Sequence, residues 1–115
     1  MEKPLIVVCS CHLDREWYLS FDETRVHMVF IVDRVLELLK RLDDYCFLLD
    51  GQTSVVGDYL EIKPERREEV TRYIAQGRLI VGPWFIQPDE VIPFGESMVR
   101  NLLLGRAEAL AYGGG

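Results

Sequence analysis

The chain has 115 residues, of which 49% are hydrophobic and 28% charged, enough for one domain with a real core but short of the ~250 residues typical of a large α/β barrel. Its formal net charge of −6 argues against a nucleic-acid or anionic-membrane partner, because phosphate recognition requires a basic patch. A neutral sugar makes no such demand.

Met1-Glu2-Lys3-Pro4 leads directly into an apolar run, Leu5-Ile6-Val7-Val8. No signal peptide is therefore expected, and no stretch approaches the ~20 apolar residues of a membrane span. The run predicts a buried strand over residues 4–10. Cys9 and Cys11 lie on one face of this strand and its extension. With Cys46 they make an odd set at no disulfide-framework spacing, which points to a reducing, cytoplasmic setting. Small buried thiols are the plainer reading of Cys9 and Cys11, ahead of metal ligation. Ser20-Phe21-Asp22-Glu23 is a capping-box signature, in which hydroxyl and carboxylate satisfy orphan amides reciprocally. It opens a long helix whose apolar positions Val29, Val32, Leu36 and Leu39, with Met28, Ile31, Val35, Leu38 and Leu42, form a wide stripe at helical spacing. Such a stripe predicts core packing.

A short strand, Tyr45-Cys46-Phe47-Leu48-Leu49, follows and ends in Asp50-Gly51-Gln52. A smaller helical turn is expected near residues 53–60. Lys63-Pro64-Glu65 starts another helix, since proline suits a first turn and Glu65, Glu68 and Glu69 offset the helix dipole. Gly77 is its expected stop. A third strand runs from Arg78 to about Phe85, and Gly95-Glu96 opens a last helix with Met98, Val99, Leu102, Leu103 and Leu110 as its apolar positions. The order is β-α-β-α-β-α. Right-handed crossovers make residues 1–115 a single α/β unit, a parallel β-sheet with flanking helices.

Two clusters sit at strand ends: Cys11-His12-Leu13-Asp14-Arg15-Glu16-Trp17-Tyr18 and Gly82-Pro83-Trp84-Phe85-Ile86-Gln87-Pro88-Asp89-Glu90. In parallel α/β proteins the carboxyl ends of strands are where ligands bind. His12 and Asp14 are two apart, so in an extended segment both side chains point the same way. An imidazole beside a carboxylate suits zinc, which also accepts a further carboxylate. Asp89 is the candidate, after a Pro88 that keeps Gln87 extended. Each residue has a plainer reading as well. Trp17 and Trp84 are core or helix-packing aromatics in that reading, Asp89-Glu90 a solvated turn, and Arg15 with Glu16 a surface or supporting pair. Asp50 then hydrogen-bonds a loop or the His12 ring. Carboxylates beside an indole at two equivalent strand ends favour a carbohydrate-active metallohydrolase.

His12-Leu13-Asp14-Arg15-Glu16-Trp17-Tyr18-Leu19-Ser20-Phe21, Asp50-Gly51-Gln52, Asp58-Tyr59-Leu60-Glu61-Ile62, Gly77-Arg78-Leu79, Gly82-Pro83-Trp84, Gln87-Pro88-Asp89-Glu90 and Gly95-Glu96 with Arg100-Asn101-Leu102 together resemble the N-terminal part of glycoside hydrolase family 38, the retaining α-mannosidases. The resemblance runs through the whole chain in order and is strongest to the bacterial, cytoplasmic branch that acts on short mannosides and mannosylglycerate. It implies Zn2+ as cofactor, with His12 and Asp14 as ligands and Asp89 as both ligand and nucleophile. It implies that Trp17 stacks under the mannose ring of a mannose-containing oligosaccharide or small mannoside. The fold implied is about the first three βα units of a (β/α)7 barrel. The family's remaining zinc ligand, a His, and its general acid, an Asp, then fall beyond residue 115. His27, on a helix past the His12 loop, is expected to replace neither. Two positions depart from the family pattern: Ser10 stands where a His is common, and Leu13 where the bacterial branch often has Trp.

Two other functions compete. One is a catalytically inactive sugar- or metal-binding fragment that forms a homo-oligomer through open sheet edges. The other is a metal-dependent deacetylase-like hydrolase, which wants a second His on the metal and a general base, and His27 is poorly placed for either.

Overall fold

The computed structural model describes residues 3–114, and its longest helix starts at the capping signature. The Ser20 hydroxyl accepts the Glu23 N–H while the Glu23 carboxylate accepts the Ser20 N–H at 3.0 Å, the reciprocal cap expected of this spacing. Helix α1 (Phe21–Arg41) buries Met28, Val32, Val35, Leu36 and Leu39. Its C-terminal carbonyls are satisfied from far along the chain: the Arg78 guanidinium donates to Leu39 O at 2.7 Å and to Leu42 O, and it also donates to Tyr45 O at 3.2 Å in the segment that follows. A helix end needs such donors because its last carbonyls have no partner within the helix.

Strand β1 (Phe47–Leu48) pairs in parallel with β2 (Leu79–Ile80), Phe47 opposite Leu79 and Leu48 opposite Ile80. Isolated parallel bridges, Ser10 with Leu48 and Gln52 with Trp84, extend the pairing at either side. Between the strands lie α2 (Ser54–Ile62), a 3-10 turn (Pro64–Arg66) and α3 (Arg67–Ala75). The helical turn expected near residues 53–60 is thus a nine-residue helix. Gly77, at φ +68, ends α3 as expected, because a residue without Cβ adopts that left-handed conformation freely. Helix α4 (Gly95–Ala111) closes the order. The core joins α1 to α2, α3, β1 and β2 through Leu36, Leu39, Leu49, Val56, Tyr59, Val70 and Leu79. No helix among the described residues is long and apolar enough to cross a membrane.

Two expectations need correction. Residues 4–10 do not form a buried strand: Leu5 and Val8 are 90% and 66% exposed, and only Ser10 bridges to β1. Apolar alternation forms a strand only where a neighbour accepts its ladder and a layer covers its faces, and in this segment only Cys9 and Ser10, beside Leu48, meet such a neighbour. The third strand is shorter than residues 78–85 and breaks at Gly82, φ +75, before Pro83, which has no N–H to give. The apolar positions of α4 lie largely at the surface: Val99, Leu103 and Leu110 are each more than half exposed, and Gly105 is the only residue of α4 that is buried.

A polar network fixes α1 to α2. The buried Tyr59 hydroxyl donates to Asp33 Oδ1 at 2.6 Å, and Lys63 Nζ donates to Asp33 Oδ2. Burial, and then the Asp33 acceptor, push the Tyr59 phenol up to about 12. Burial works to raise the Asp33 carboxyl too, but the donors Lys63 and Tyr59 outweigh it and hold it below its ordinary 3.8. A carboxylate depressed in the folded state stabilises the fold above its unfolded pKa, and that contribution is lost as pH falls through the folded value. Asp33→Asn is therefore expected to cost on the order of 1 kcal/mol at neutral pH. Its urea midpoint should also fall less than that of the parent between pH 5 and pH 2 (about one to two units either side of the ordinary carboxylate range). Equal acid sensitivity of the two proteins would refute the assignment.

Candidate active site

The chain turns sharply after β1. Asp50 sits at φ 48 and Gly51 at φ 64, a left-handed pair that Asp and Gly tolerate better than other residues. This turn places the Asp50 carboxylate, 6% exposed, beneath the loop carrying His12. It accepts the Leu13 N–H at 2.7 Å, the Gln52 amide at 2.8 Å and His12 Nδ1 at 3.2 Å. With Nδ1 held there, His12 Nε2 faces outward and stands 3.4 Å from Asp14 Oδ1. The hydrogen bond to Asp50 and then its charge raise the His12 pKa; burial opposes them, and Asp14 adds a lesser upward push. The Asp50–His12 contact is one of the two roles the sequence offers for Asp50. A carboxylate on the far nitrogen is also the usual support of a metal-binding imidazole, since it fixes tautomer and ring orientation.

The pair fits a zinc ion chemically. An imidazole nitrogen and a carboxylate oxygen are ordinary zinc donors, and a tetrahedral ion with bonds of ~2.0 Å has donor–donor edges of about 3.3 Å, close to the 3.4 Å found here. Asp89 does not join them. Among the described residues no group of three or more His, Cys, Asp or Glu side chains is arranged to hold a metal ion. Asp89 is exposed in a turn closed by the Ile92 N–H at 3.0 Å. It lines a cavity of about 540 Å³ together with Pro88, Pro93, Met98, Asn101 and Leu104. The link between the two places is Gln87, which borders both that cavity and one of about 270 Å³ formed with His12, Asp14, Glu16 and Gln52.

On the other side of His12 a cavity of about 200 Å³ is bordered by Asp14, Trp17, Tyr18, Thr24 and His27. Trp17 is 67% exposed and stacks on Tyr18 with ring centroids 4.3 Å apart, so it is not a core aromatic. His27 is nearer the site than its place on α1 suggests, because the loop after residue 12 doubles back over the helix's first turns. Arg15 does not pair with Glu16. Its guanidinium makes two bonds to Asp58 of α2, at 2.9 and 3.0 Å, and lies over the Phe21 ring, tying the His12 loop to α1 and α2. Burial, then the Asp50 charge, push the Cys11 thiol up, and Cys9 and Cys11 pack half-buried against the core. That agrees with small structural thiols.

Several supporting residues had no role assigned from the sequence. Gln52 is 3% exposed and reaches both loops. Asn101 of α4 clasps the loop after β2: its Oδ1 accepts the Phe85 and Ile86 N–H groups at 3.0 and 2.9 Å, and its Nδ2 donates to Ile86 O at 2.6 Å. Gly105, one helical turn on, lies directly against the backbone of Pro83, Trp84 and Phe85. The available signal was a lone glycine inside an apolar helical pattern, which marks a close approach.

The geometry defines an α/β unit with a zinc-type His–Asp pair and an exposed indole at the carboxyl end of its parallel strands. Comparison with known proteins gives the family. The model of the glycosyl hydrolases family 38 N-terminal domain matches residues 3–108. A protein named putative mannosylglycerate hydrolase from Halalkalibacterium halodurans is 40% identical over 98% of this chain and 13% of its own length. An alpha-mannosidase of Saccharomyces cerevisiae is 31% identical over 91% of this chain and 10% of its own. The crystal structure of an alpha-mannosidase from Enterococcus faecalis superposes with TM-score 0.88 at 39% identity, covering 92% of this chain and 12% of that one. A second family 38 structure from Enterococcus faecalis gives TM-score 0.83 at 35% identity, covering 94% of this chain and 13% of that one. The chain belongs to glycosyl hydrolase family 38, within its N-terminal domain, and spans only about an eighth of the length of most of these relatives.

Proposed function

We propose that this chain is the N-terminal segment of a zinc-dependent, retaining α-mannosidase, the start of a (β/α)7 barrel acting on a mannose-containing oligosaccharide or small mannoside. The observation that carries the reading is the outward-facing His12 Nε2, 3.4 Å from Asp14 Oδ1, with its other nitrogen on Asp50. In this reading His12 and Asp14 would hold one zinc ion and Asp89 would join them on the metal, since without it the three are not grouped. A bound zinc would supply positive charge to the sugar hydroxyls and to the carboxylates around it. Trp17 offers an apolar face to the C–H groups of the ring. Asp89 attacks the anomeric carbon, forming a C–O bond to its carboxylate as the glycosidic C–O bond breaks. The leaving oxygen takes its proton from a carboxylic acid about 5–5.5 Å away, supplied from outside residues 1–115. Water then releases the sugar from Asp89.

The test is metal content and turnover. The parent chain is expected to bind one zinc, His12→Ala and Asp14→Ala to lose at least tenfold in affinity (roughly the smallest effect of losing a ligand or its support), and none to hydrolyse an aryl α-mannoside. Equal zinc content in all three proteins would remove the pair from the site.

A second reading has its own support. Residues 5–8, Phe94 and α4 leave Leu5, Ile6, Val7, Phe94, Leu103 and Leu110 exposed, and exposed apolar surface is what associating proteins cover. In that reading the 115-residue chain is an inactive fragment that associates with itself. Sedimentation at micromolar concentration is expected to show dimers or larger species; a clean monomer would exclude it.

A further inference from the structure

Gln52 hydrogen-bonds to both loops of the site. Its side chain is buried, 3% exposed, and every polar atom has a partner. Nε2 donates to Leu13 O at 2.7 Å and to Asp50 Oδ2 at 2.8 Å. Oε1 accepts the Gln87 N–H at 3.2 Å. One carboxamide therefore spans from the loop that presents His12 and Asp14 to the loop that presents Asp89. Its direction is not arbitrary. The partners on the Nε2 side are both acceptors, and the partner on the Oε1 side is a donor. A carboxylate of the same shape would turn oxygen lone pairs toward the Leu13 carbonyl and the Asp50 carboxylate, which is repulsive in a buried setting. An apolar side chain would leave the Leu13 carbonyl one donor short and the Gln87 N–H unpaired.

Two further features make this tie effective. Pro88 follows Gln87 directly and restricts its backbone, so fixing the Gln87 N–H constrains where the chain emerges toward Asp89. Asn101 holds the preceding residues, Phe85 and Ile86, on α4. The segment before Asp89 is thus anchored on both sides, at α4 and at the His12 loop. We infer that Gln52 is a positioning residue that couples the His12–Asp14 pair to the Asp89 loop, so that a change at the pair is felt at residues 87–89. The coupling to a metal rests on the function proposed above; the tie between the loops does not.

The experiment separates the two. Amide exchange of the metal-free chain is followed by NMR for the parent, Gln52→Met and the isosteric Gln52→Glu. In the parent the Gln87 N–H is expected to be protected although the residue is exposed. In both variants it should exchange on the order of tenfold faster, the effect of one hydrogen bond to a buried partner, while core amides such as Val70 keep their protection. Gln52→Glu should be no better than Gln52→Met despite its shape. An unprotected Gln87 N–H in the parent, or unchanged exchange in a folded variant, overturns the inference. If both variants unfold, the parent's own Gln87 protection decides. Zinc is then added. Perturbation of residues 12–14 together with 87–89 in the parent, and of 12–14 alone in Gln52→Met, is the signature of coupling. Equal perturbation of residues 87–89 in both proteins would overturn it. A parent with a protected Gln87 N–H but no response to zinc would leave the tie standing and defeat the metal reading.

Discussion

Gly105→Ala is expected to lower the melting temperature by about 10 °C or to prevent α4 from docking. Two effects oppose each other. In an exposed helix interior, alanine for glycine stabilises by ~1 kcal/mol. Here the added methyl would overlap the backbone of Pro83, Trp84 and Phe85. Those atoms are not the free end of a side chain and cannot rotate away, so either α4 or the loop must move. Overpacking of this kind costs ~1–3 kcal/mol or more. A net loss near 2 kcal/mol is a large share of the ~5–15 kcal/mol that holds a domain together, and it converts to about 10 °C for a chain of this size. Gly95→Ala is the control. It is the first residue of the same helix and its Cβ would meet nothing within 4 Å, so it should be neutral or slightly stabilising. Thermal unfolding of the two variants side by side checks the argument. A Gly105→Ala protein as stable as Gly95→Ala would mean that α4 does not approach the loop this closely. The variant should also free the Phe85 and Ile86 amides from Asn101, visible as faster exchange at both.

Asp50→Ala is the second large effect, and it acts on fold and site together. Removing the carboxylate leaves the Leu13 N–H and His12 Nδ1 with no acceptor and the Gln52 amide with one fewer. A stranded buried donor costs ~1–3 kcal/mol, and alanine at φ 48 adds ~1–2 kcal/mol that aspartate largely avoids. Asp50→Gly relieves the backbone part alone, so the difference between the two variants isolates it. At the site, the imidazole loses the partner that keeps Nε2 facing Asp14. Loss of such a support typically lowers metal affinity by ~10–100-fold. Urea denaturation and competition of zinc against a chromophoric chelator measure the two effects separately. If Asp50→Gly binds zinc as tightly as the parent, then the ring's orientation does not depend on Asp50 and the supporting role assigned to it is lost.

Both variants act through residues whose importance depends on what lies across from them, and the same distinction runs through the whole chain. Local order was legible where it depends on neighbours in sequence. The Ser20–Glu23 cap, the buried stripe of α1 and the glycine stop at Gly77 are set by spacings of three or four residues and by backbone freedom at one position. The pairing of His12 with Asp14 belongs to the same class, because two residues apart in an extended segment share a side. The family resemblance rested on such short runs and was recovered over residues 3–108.

What spacing could not settle was every question that needed a partner distant in sequence. Residues 5–8 read as a buried strand, yet they lie exposed, because an apolar pattern states a demand for cover and not whether cover is present. Arg15 chose Asp58 over its neighbour Glu16, and Arg78 caps α1, which ends at Arg41. Gln52 and Gly105 acquire their roles from a carbonyl, an N–H and a stretch of backbone that only folding brings within reach. Sequence alone thus determined which side chains are able to do chemistry. The tertiary structure decided which of them meet, because hydrogen bonds and close packing act over a few ångströms in space and take no account of distance along the chain.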